Sequence, residues 1–344
     1  MAGIELCHLV GNGKHGWERI AISMKQFLAP LLVCPRCRAQ IVQTDAGLTC
    51  SSASCALSSD SFPIVNGQPA LIDFDNSIVD RDELVATDGS SVLQRTDPVR
   101  LAVARVLNGI NPVTHFYAAD MLSRLRADRH GEEKIRILVI GGGSLGYGTE
   151  GLYNQDDVVL IGMDIYASDN TALVADAHSL PFVSGSIDAV WIQAVLEHVV
   201  EPWRVVEEIR RVLRRGGVVF ADSPFLWPVH EASYDFMRFS VSGHRWLFKG
   251  FDHLSSGYSS GAGVTLLLAI RCCFVAMFRS SFLATLAALP LFWIRYLDRI
   301  GSRRGNLTSA AGVFFYGVKA DREISPKEIL AFYETQIEPS LHER

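Results

Sequence analysis

The stretch ALVADAHSLPFVSGSIDAVWIQAVLEHVVEPWRVVEEIRRVLRRGGVVFAD, residues 172–222, decides the fold. Within it, IDAVWIQ (187–193) is a short, nearly continuous apolar run of the kind that forms a strand buried on both faces. Pro202 suits the first turn of a helix, and Val205, Ile209, Val212 and Leu213 recur at the spacing of one helical face. Arg210, Arg211, Arg214 and Arg215 gather at the helix end that favours cations. Gly216 and Gly217 are expected to stop the helix, and VVFAD (218–222) reads as the next strand. Strand, helix, strand is the repeating unit of a parallel sheet covered by helices.

Working toward the N-terminus, IRILVI (135–140) is another buried strand and runs into Gly141-Gly142-Gly143-Ser144-Leu145-Gly146. Such glycines allow a sharp turn and close approach of a ligand to the backbone, with the N-terminus of a following helix as an anion site. VVLIGMD (158–164) is a further strand, and Asp164 at its end is placed to accept hydrogen bonds from ribose hydroxyls. Gly141, Gly143, Gly146 and Asp164 are therefore candidate nucleotide-binding residues, with Gln193 at the end of the 187–193 strand beside them. This much fits dinucleotide and adenosyl cofactors alike.

The 172–222 segment resembles the class I S-adenosylmethionine-dependent methyltransferases of the ubiquinone-biosynthesis type. The resemblance rests on Asp176-Ala177 followed by Leu180-Pro181-Phe182, on Asp188, on Leu196-Glu197-His198-Val199, and on the 213–217 segment LRRGG, all in the family's order. It implies a Rossmann-like, seven-stranded, mostly parallel, doubly wound α/β sheet that uses S-adenosylmethionine. It also implies that Asp176 and Ala177 lie at the adenine and that His198 is structural. Where the family carries an acid at the end of the first strand, this sequence has Val139 and Ile140. That departure motivates an alternative, a catalytically silent cofactor-binding scaffold. An NAD-dependent oxidoreductase is the second alternative, opposed by the Asp-Ala…Leu-Pro-Phe and Leu-Glu-His-Val motifs.

Ahead of this domain, Cys34, Cys37, Cys50 and Cys55 give C-x2-C-x12-C-x4-C, two thiolate pairs suited to one tetrahedral structural Zn2+. A unit this small gains much of its folding energy from the metal. The surrounding segment resembles the small zinc-ribbon activator of tRNA and protein methyltransferases. The second pair departs from x2 spacing, so a metal-free ribbon is also open. The organisation expected is an extension (1–23), the ribbon (24–74), a linker with helices at 100–107 and 115–127, the catalytic domain (135–320) and a terminal helix and tail (321–344).

SPFLWPVHEASYDFMRFSVSGHRWLF (223–248) follows a strand end, where α/β sheets bind ligands. It resembles a segment of bacterial methyltransferases linked to cell-surface polysaccharide or lipid modification. His230 is the candidate general base, backed by Glu231 or Asp235. Tyr234, Arg238 and His244 are candidate substrate residues, Arg238 for an anionic group. The acceptor expected is a small molecule or a saccharide- or lipid-linked hydroxyl. An apolar insertion (261–300) is broken by Arg271, Arg279 and Pro290, then followed by Arg295, Arg299, Arg303 and Arg304. It reads either as a helical hairpin buried over the site or in a homodimer interface, or as an interfacial helix touching a membrane surface through 261–304.

Composition sets the remaining bounds. The 344 residues carry a net charge of -5, which offers no bulk attraction to nucleic acid, and no nucleic-acid partner is expected. Met1 to Gly16 has no leader-like apolar run, and the clustered cysteines suit a reducing compartment. The expected location is cytoplasmic, with contact to the inner face of the membrane as the variant.

Overall fold

The computed structural model describes residues 27–337 apart from 46, 91–111, 130, 132, 147 and 154. The expected extension, Cys7 and the helix at 100–107 lie outside the described residues.

The N-terminal unit holds two hairpins, β1 (Ile41–Thr44) with β2 (Gly47–Cys50) and β3 (Ile64–Val65) with β4 (Gln68–Pro69). The second turns on Asn66 and Gly67, both left-handed, as an Asn-Gly hairpin turn requires. After α1 (Arg81–Ala86) comes α2 (Pro112–Ala127), and then the sheet strands β5 (Ile135–Ile140), β6 (Val158–Asp164), β7 (Leu173–Val174) and β8 (Ile187–Gln193). Helix α3 (Pro202–Val212) leads to β9 (Leu213–Pro224), and α4 (Val241–Leu247) leads to β10 (Phe251–Ser260). The insertion supplies α5 (Ala262–Phe278), α6 (Ser281–Ala288), a 3-10 segment (Leu289–Tyr296), α7 (Leu297–Ile300) and α8 (Arg303–Thr308). Strand β11 (Gly312–Lys319), α9 (Pro326–Phe332) and a π-helical turn (Tyr333–Ile337) close the described chain.

The seven-stranded sheet has the order β10-β11-β9-β8-β5-β6-β7, with only β11 antiparallel to its neighbours. This is the mostly parallel, Rossmann-like sheet expected. Period-2 alternation splits β5 between two cores. Ile137 and Val139 face Met121, Leu122 and Leu125 of α2, together with Trp191, Phe220 and Tyr316. Leu138 and Ile140 face the side covered by Val205, Val206, Ile209 and Val212 of α3.

Three local expectations change. Helix α3 ends at Val212, because Leu213 is already extended, so Arg214 and Arg215 belong to the start of β9 rather than to the helix. There Arg214 pairs with Asp188 and Asp128, and Gly216 makes a left-handed turn inside the strand segment. The glycine loop is followed, among the described residues, by a 3-10 turn (Glu150–Leu152) instead of an α-helix. The β5–β6 connection is short and carries Gly148 and Gly151, and α2, which precedes β5, covers that face instead.

The N-terminal unit is built into the sheet domain. Ala70 bridges Val174 in parallel, Leu71 N–H donates to the Val174 carbonyl, and Gln68 joins Ser168 and Thr171. The edge of β7 is therefore paired rather than open. On the α3 face Val33 N–H donates to Pro181, Val183 N–H donates to Leu31, and Arg38 bonds the Leu180 carbonyl and Glu208. Leu28, Phe62 and Leu71 pack in the same core as Phe182, Val190 and Ile209.

The insertion folds as a hairpin around Leu267, Ala288 and Ile294. Asp298 accepts from Gly261 N–H (2.9 Å) and Gly263 N–H (2.6 Å), so a residue from the far end of the insertion caps α5. Met277, Phe282, Trp293 and Ile300 stay exposed, among arginines 279, 295, 299, 303 and 304. No described helix is long and apolar enough to cross a membrane.

Candidate functional site

The carboxyl ends of β5, β6 and β8 meet at the glycine loop. Gly141 adopts a left-handed φ of 77° with Val195 packed where a Cβ would stand, and the Tyr166 ring lies against Gly143. The Gln193 carboxamide closes on Gly146 in the same way. Asp164 accepts from Gly143 N–H (2.9 Å) and from Ile165 N–H (2.8 Å), pinning the loop to the end of β6. A carboxylate has lone pairs for further donors, and Asp164 remains partly accessible. Gly141, Gly143, Gly146, Asp164 and Gln193 are thus brought to one place at the carboxyl ends of the strands.

Asp176 and Ala177 are placed differently. Both are buried, and the Asp176 carboxylate accepts from His178 N–H and Ser77 Oγ and meets His178 Nδ1 at 2.6 Å. Burial opposes its ionisation, but His178 and Ser77 outweigh that and hold the carboxyl below its usual range. Ser77 comes from the segment after the N-terminal unit, so this acid joins the two units.

Beyond β8 the chain turns sharply at Ala194, a non-glycine residue with φ 53° whose N–H donates to the Asp222 carbonyl. The turn carries Glu197 and His198 next to the Val195–Gly141 contact. Glu197 is fully buried, and neither carboxylate oxygen has a hydrogen-bond partner among the described residues. Burial, with Asp222 and Asp235 nearby, pushes its pKa up to about 8. Its backbone carbonyl accepts from Phe236 and Met237 N–H, holding the 230–238 loop over it.

That loop brings the expected catalytic residues together. His230 Nε2 stands 3.8 Å from Glu197 Oε1, and His198 Nε2 stands 3.6 Å from the same oxygen. Glu231, itself left-handed at φ 59°, places Oε2 3.5 Å from His198 Nε2. Asp235 accepts from His230 N–H at 2.7 Å, and its Oδ2 lies 3.3 Å from Nδ1. Strained non-glycine backbone at Ala194 and Glu231 persists only where surrounding bonds over-determine it, and here those bonds position the histidine pair.

Two expected substrate residues have other work. The Arg238 guanidinium forms a two-toothed pair with Asp235 and bonds the Trp227 and Pro228 carbonyls, so it fastens the loop. That pair holds the Asp235 carboxyl down at about 2. His244 is completely buried in α4 between Phe239 and Phe248, with Ser223 Oγ at 3.4 Å, and presents no surface to a substrate. Polar residues in a loop-like stretch resemble site residues in sequence, and here a helix turns this one inward. Tyr234 keeps an exposed ring, while its carbonyl faces His198 Nδ1 at 2.6 Å. Glu197 and His198 were legible only as motif letters; the signal that could have found them is an acid and a histidine directly following a buried strand.

In the N-terminal unit the four cysteine sulfurs lie within 4.8 Å of one another, with Cys34–Cys55 at 3.8 Å and Cys37–Cys50 at 3.4 Å. Four sulfurs at ~2.3 Å from one zinc are about 3.8 Å apart, so the donor set fits that ion. Burial pushes the Cys50 thiol up to about 12, the state that a bound cation reverses.

The family model described as a methyltransferase domain matches residues 141–221. A Mycolicibacterium gilvum (strain PYR-GCK) protein called an uncharacterized methyltransferase is 33% identical over 91 residues, 26% of this chain and 30% of that protein. A second uncharacterized methyltransferase, from Mycobacterium sp. (strain KMS), is 48% identical over 44 residues, 13% of this chain and 18% of that protein. The matched stretch spans less than a third of either relative. Among solved structures, a chain of the complex between the Haloferax volcanii Trm112 methyltransferase activator and a methyltransferase is similar at TM-score 0.39 and 21% identity. That match covers 66% of this chain and 97% of the other. Haemonchus contortus phosphoethanolamine N-methyltransferase 2 is similar at TM-score 0.41 and 18% identity, covering 72% and 61%.

Proposed function

We propose that the protein is an S-adenosylmethionine-dependent methyltransferase acting on a hydroxyl of a saccharide- or lipid-linked acceptor. The observation that carries this is the histidine–carboxylate cluster of His198, His230, Glu197 and Glu231. It stands at the carboxyl end of β8, beside a glycine loop within a methyltransferase-domain match. When bound, S-adenosylmethionine supplies a methyl group on a cationic sulfonium. The glycine loop, Asp164 and Gln193 hold its adenosyl part. His230 accepts the hydroxyl proton at Nε2, since Asp235 and the Pro228 carbonyl face Nδ1 and favour the Nδ1–H tautomer. Most of the acceleration comes from orientation. The exposed apolar face of the insertion, rimmed by arginines, supports an amphipathic acceptor and contact with an anionic lipid surface.

Calorimetry with S-adenosylmethionine, S-adenosylhomocysteine and NAD tests the cofactor: binding of NAD alone would defeat the reading. Turnover assays over candidate acceptors with wild type and His230→Ala then separate an enzyme from a silent scaffold, the alternative that Val139 and Ile140 at the end of β5 favour.

A further inference from the structure

We propose that Glu197, His198 and His230 form a binding site for one divalent transition-metal cation, with Glu231 at its edge. One ligand atom from each of the first three lies within 4.8 Å of the others. The pairs to Glu197 Oε1 are 3.6 and 3.8 Å, and His198 Nε2 is 3.5 Å from Glu231 Oε2. Donors on one ion with bonds of ~2.1 Å stand roughly 3.0–3.4 Å apart, so each of these histidine–carboxylate pairs closes by shifts of a few tenths of an ångström.

Three observations point to a cation. The first is Glu197 itself, a carboxylate with no exposed surface and neither oxygen hydrogen-bonded among the described residues. A buried carboxylate needs a proton or a positive charge. Asp222 and Asp235 beside it sharpen that need, and Arg238 is already paired to Asp235, so a cation between the two imidazoles would take the place of the proton that the raised pKa retains.

The second is the way both imidazoles are held. His198 Nδ1 faces the Tyr234 carbonyl at 2.6 Å, and His230 Nδ1 faces the Pro228 carbonyl and the Asp235 carboxylate, each at 3.3 Å. A ring whose Nδ1–H is fixed on an oxygen presents the Nε2 lone pair, the arrangement found behind metal-ligating histidines. The third is rigidity. The left-handed backbone at Glu231 and the bonds from Phe236 and Met237 N–H to the Glu197 carbonyl fix both sides of the cluster. Two imidazoles with carboxylate suit Zn2+, Fe2+ or Co2+ rather than an all-oxygen ion.

The site is chemically distinct from the four-cysteine cluster, and cation binding stands independently of the methyltransferase reading. Its role rests on that reading: the cation holds the acceptor oxygen and lowers its pKa. Proton acceptance then passes from His230 to Glu231.

The test is a Co2+ titration of the full-length protein, followed by absorption, with S-adenosylhomocysteine binding and thermal unfolding measured in parallel. The result expected is one equivalent giving visible d–d bands without the near-ultraviolet charge-transfer band of thiolate ligation. Glu197→Gln and His230→Asn should each weaken that binding by at least the roughly 10- to 100-fold that even a supporting partner of a ligand is worth, with unfolding unchanged. His230 is part-exposed, so its variant remains informative if Glu197→Gln does not fold. Equal cobalt affinity and spectra in folded variants, or cobalt bound only with the thiolate band, overturns the proposal. Failure of the wild type to bind S-adenosylhomocysteine counts against the methyltransferase reading alone.

Discussion

Lowering the pH should destabilise this protein through His244, by an amount that follows from its surroundings. The imidazole is completely buried between Phe239 and Phe248, and desolvation pushes its pKa down to about 3. The unfolded chain returns it to ~6.5. Between these values the unfolded state binds a proton that the folded state refuses, so stability falls with pH. Above the upper value the group contributes no pH dependence, and below the lower one its penalty is complete. At pH 5 the difference is about 1.5 pH units, or about 2 kcal/mol. Urea unfolding at pH 7 and pH 5 on wild type and His244→Gln measures it. The variant has a lower baseline but should lose about 2 kcal/mol less over that interval. His253, also held low at about 4 by burial, is present in both proteins and cancels. Identical losses in the two proteins would refute the reasoning.

Three further outcomes are expected. Leu71→Ala, at a fully buried side chain joining the cysteine unit to the β7 edge, should cost roughly 2–5 kcal/mol and lower the melting temperature by roughly 5–15 °C in one transition; two separate transitions in calorimetry contradict the shared core. Metal analysis should find a zinc that Cys34→Ser loses, with an earlier melt; absence of zinc from protein with reduced thiols rules the structural ion out. Cosedimentation should show binding to anionic but not zwitterionic vesicles, weakened by Arg295→Glu with Arg299→Glu; equal binding to both vesicle types removes the arginines from that role.

Much of the sheet was legible because buried parallel strands are continuous apolar runs: IRILVI, VVLIGMD and IDAVWIQ each became a strand over the residues quoted. Apolar spacing likewise marked α2 and α3. The end of α3 was misplaced because the glycine pair is the usual stop signal, whereas Leu213 leaves the helix earlier to pair with Ile187. That no α-helix follows the glycine loop among the described residues had a signal in Gly148 and Gly151, but the cover given by α2 from upstream is a packing solution that local pattern does not encode.

The site divides in the same way. Residue types gave His230, Glu231 and Asp235, and the loop does gather them. Glu197 became chemically distinctive only when the 230–238 loop closed over it, because burial and loss of hydrogen-bond partners are tertiary properties. Arg238 and His244 show the converse: their chemistry suits a substrate, but a neighbouring aspartate and a helix face claim them.

The sequence by itself determined the strand register of hydrophobicity, the glycine turn, the acid that ends β6 and the four-thiolate pattern, since each depends on neighbours close along the chain. Only the tertiary structure decided that the cysteine unit pairs with the edge of β7, that Asp176 serves Ser77 and His178, and that a carboxylate with no hydrogen-bond partner among the described residues sits between two imidazoles. Those outcomes depend on which distant segments exclude water from one another, and that is settled by packing.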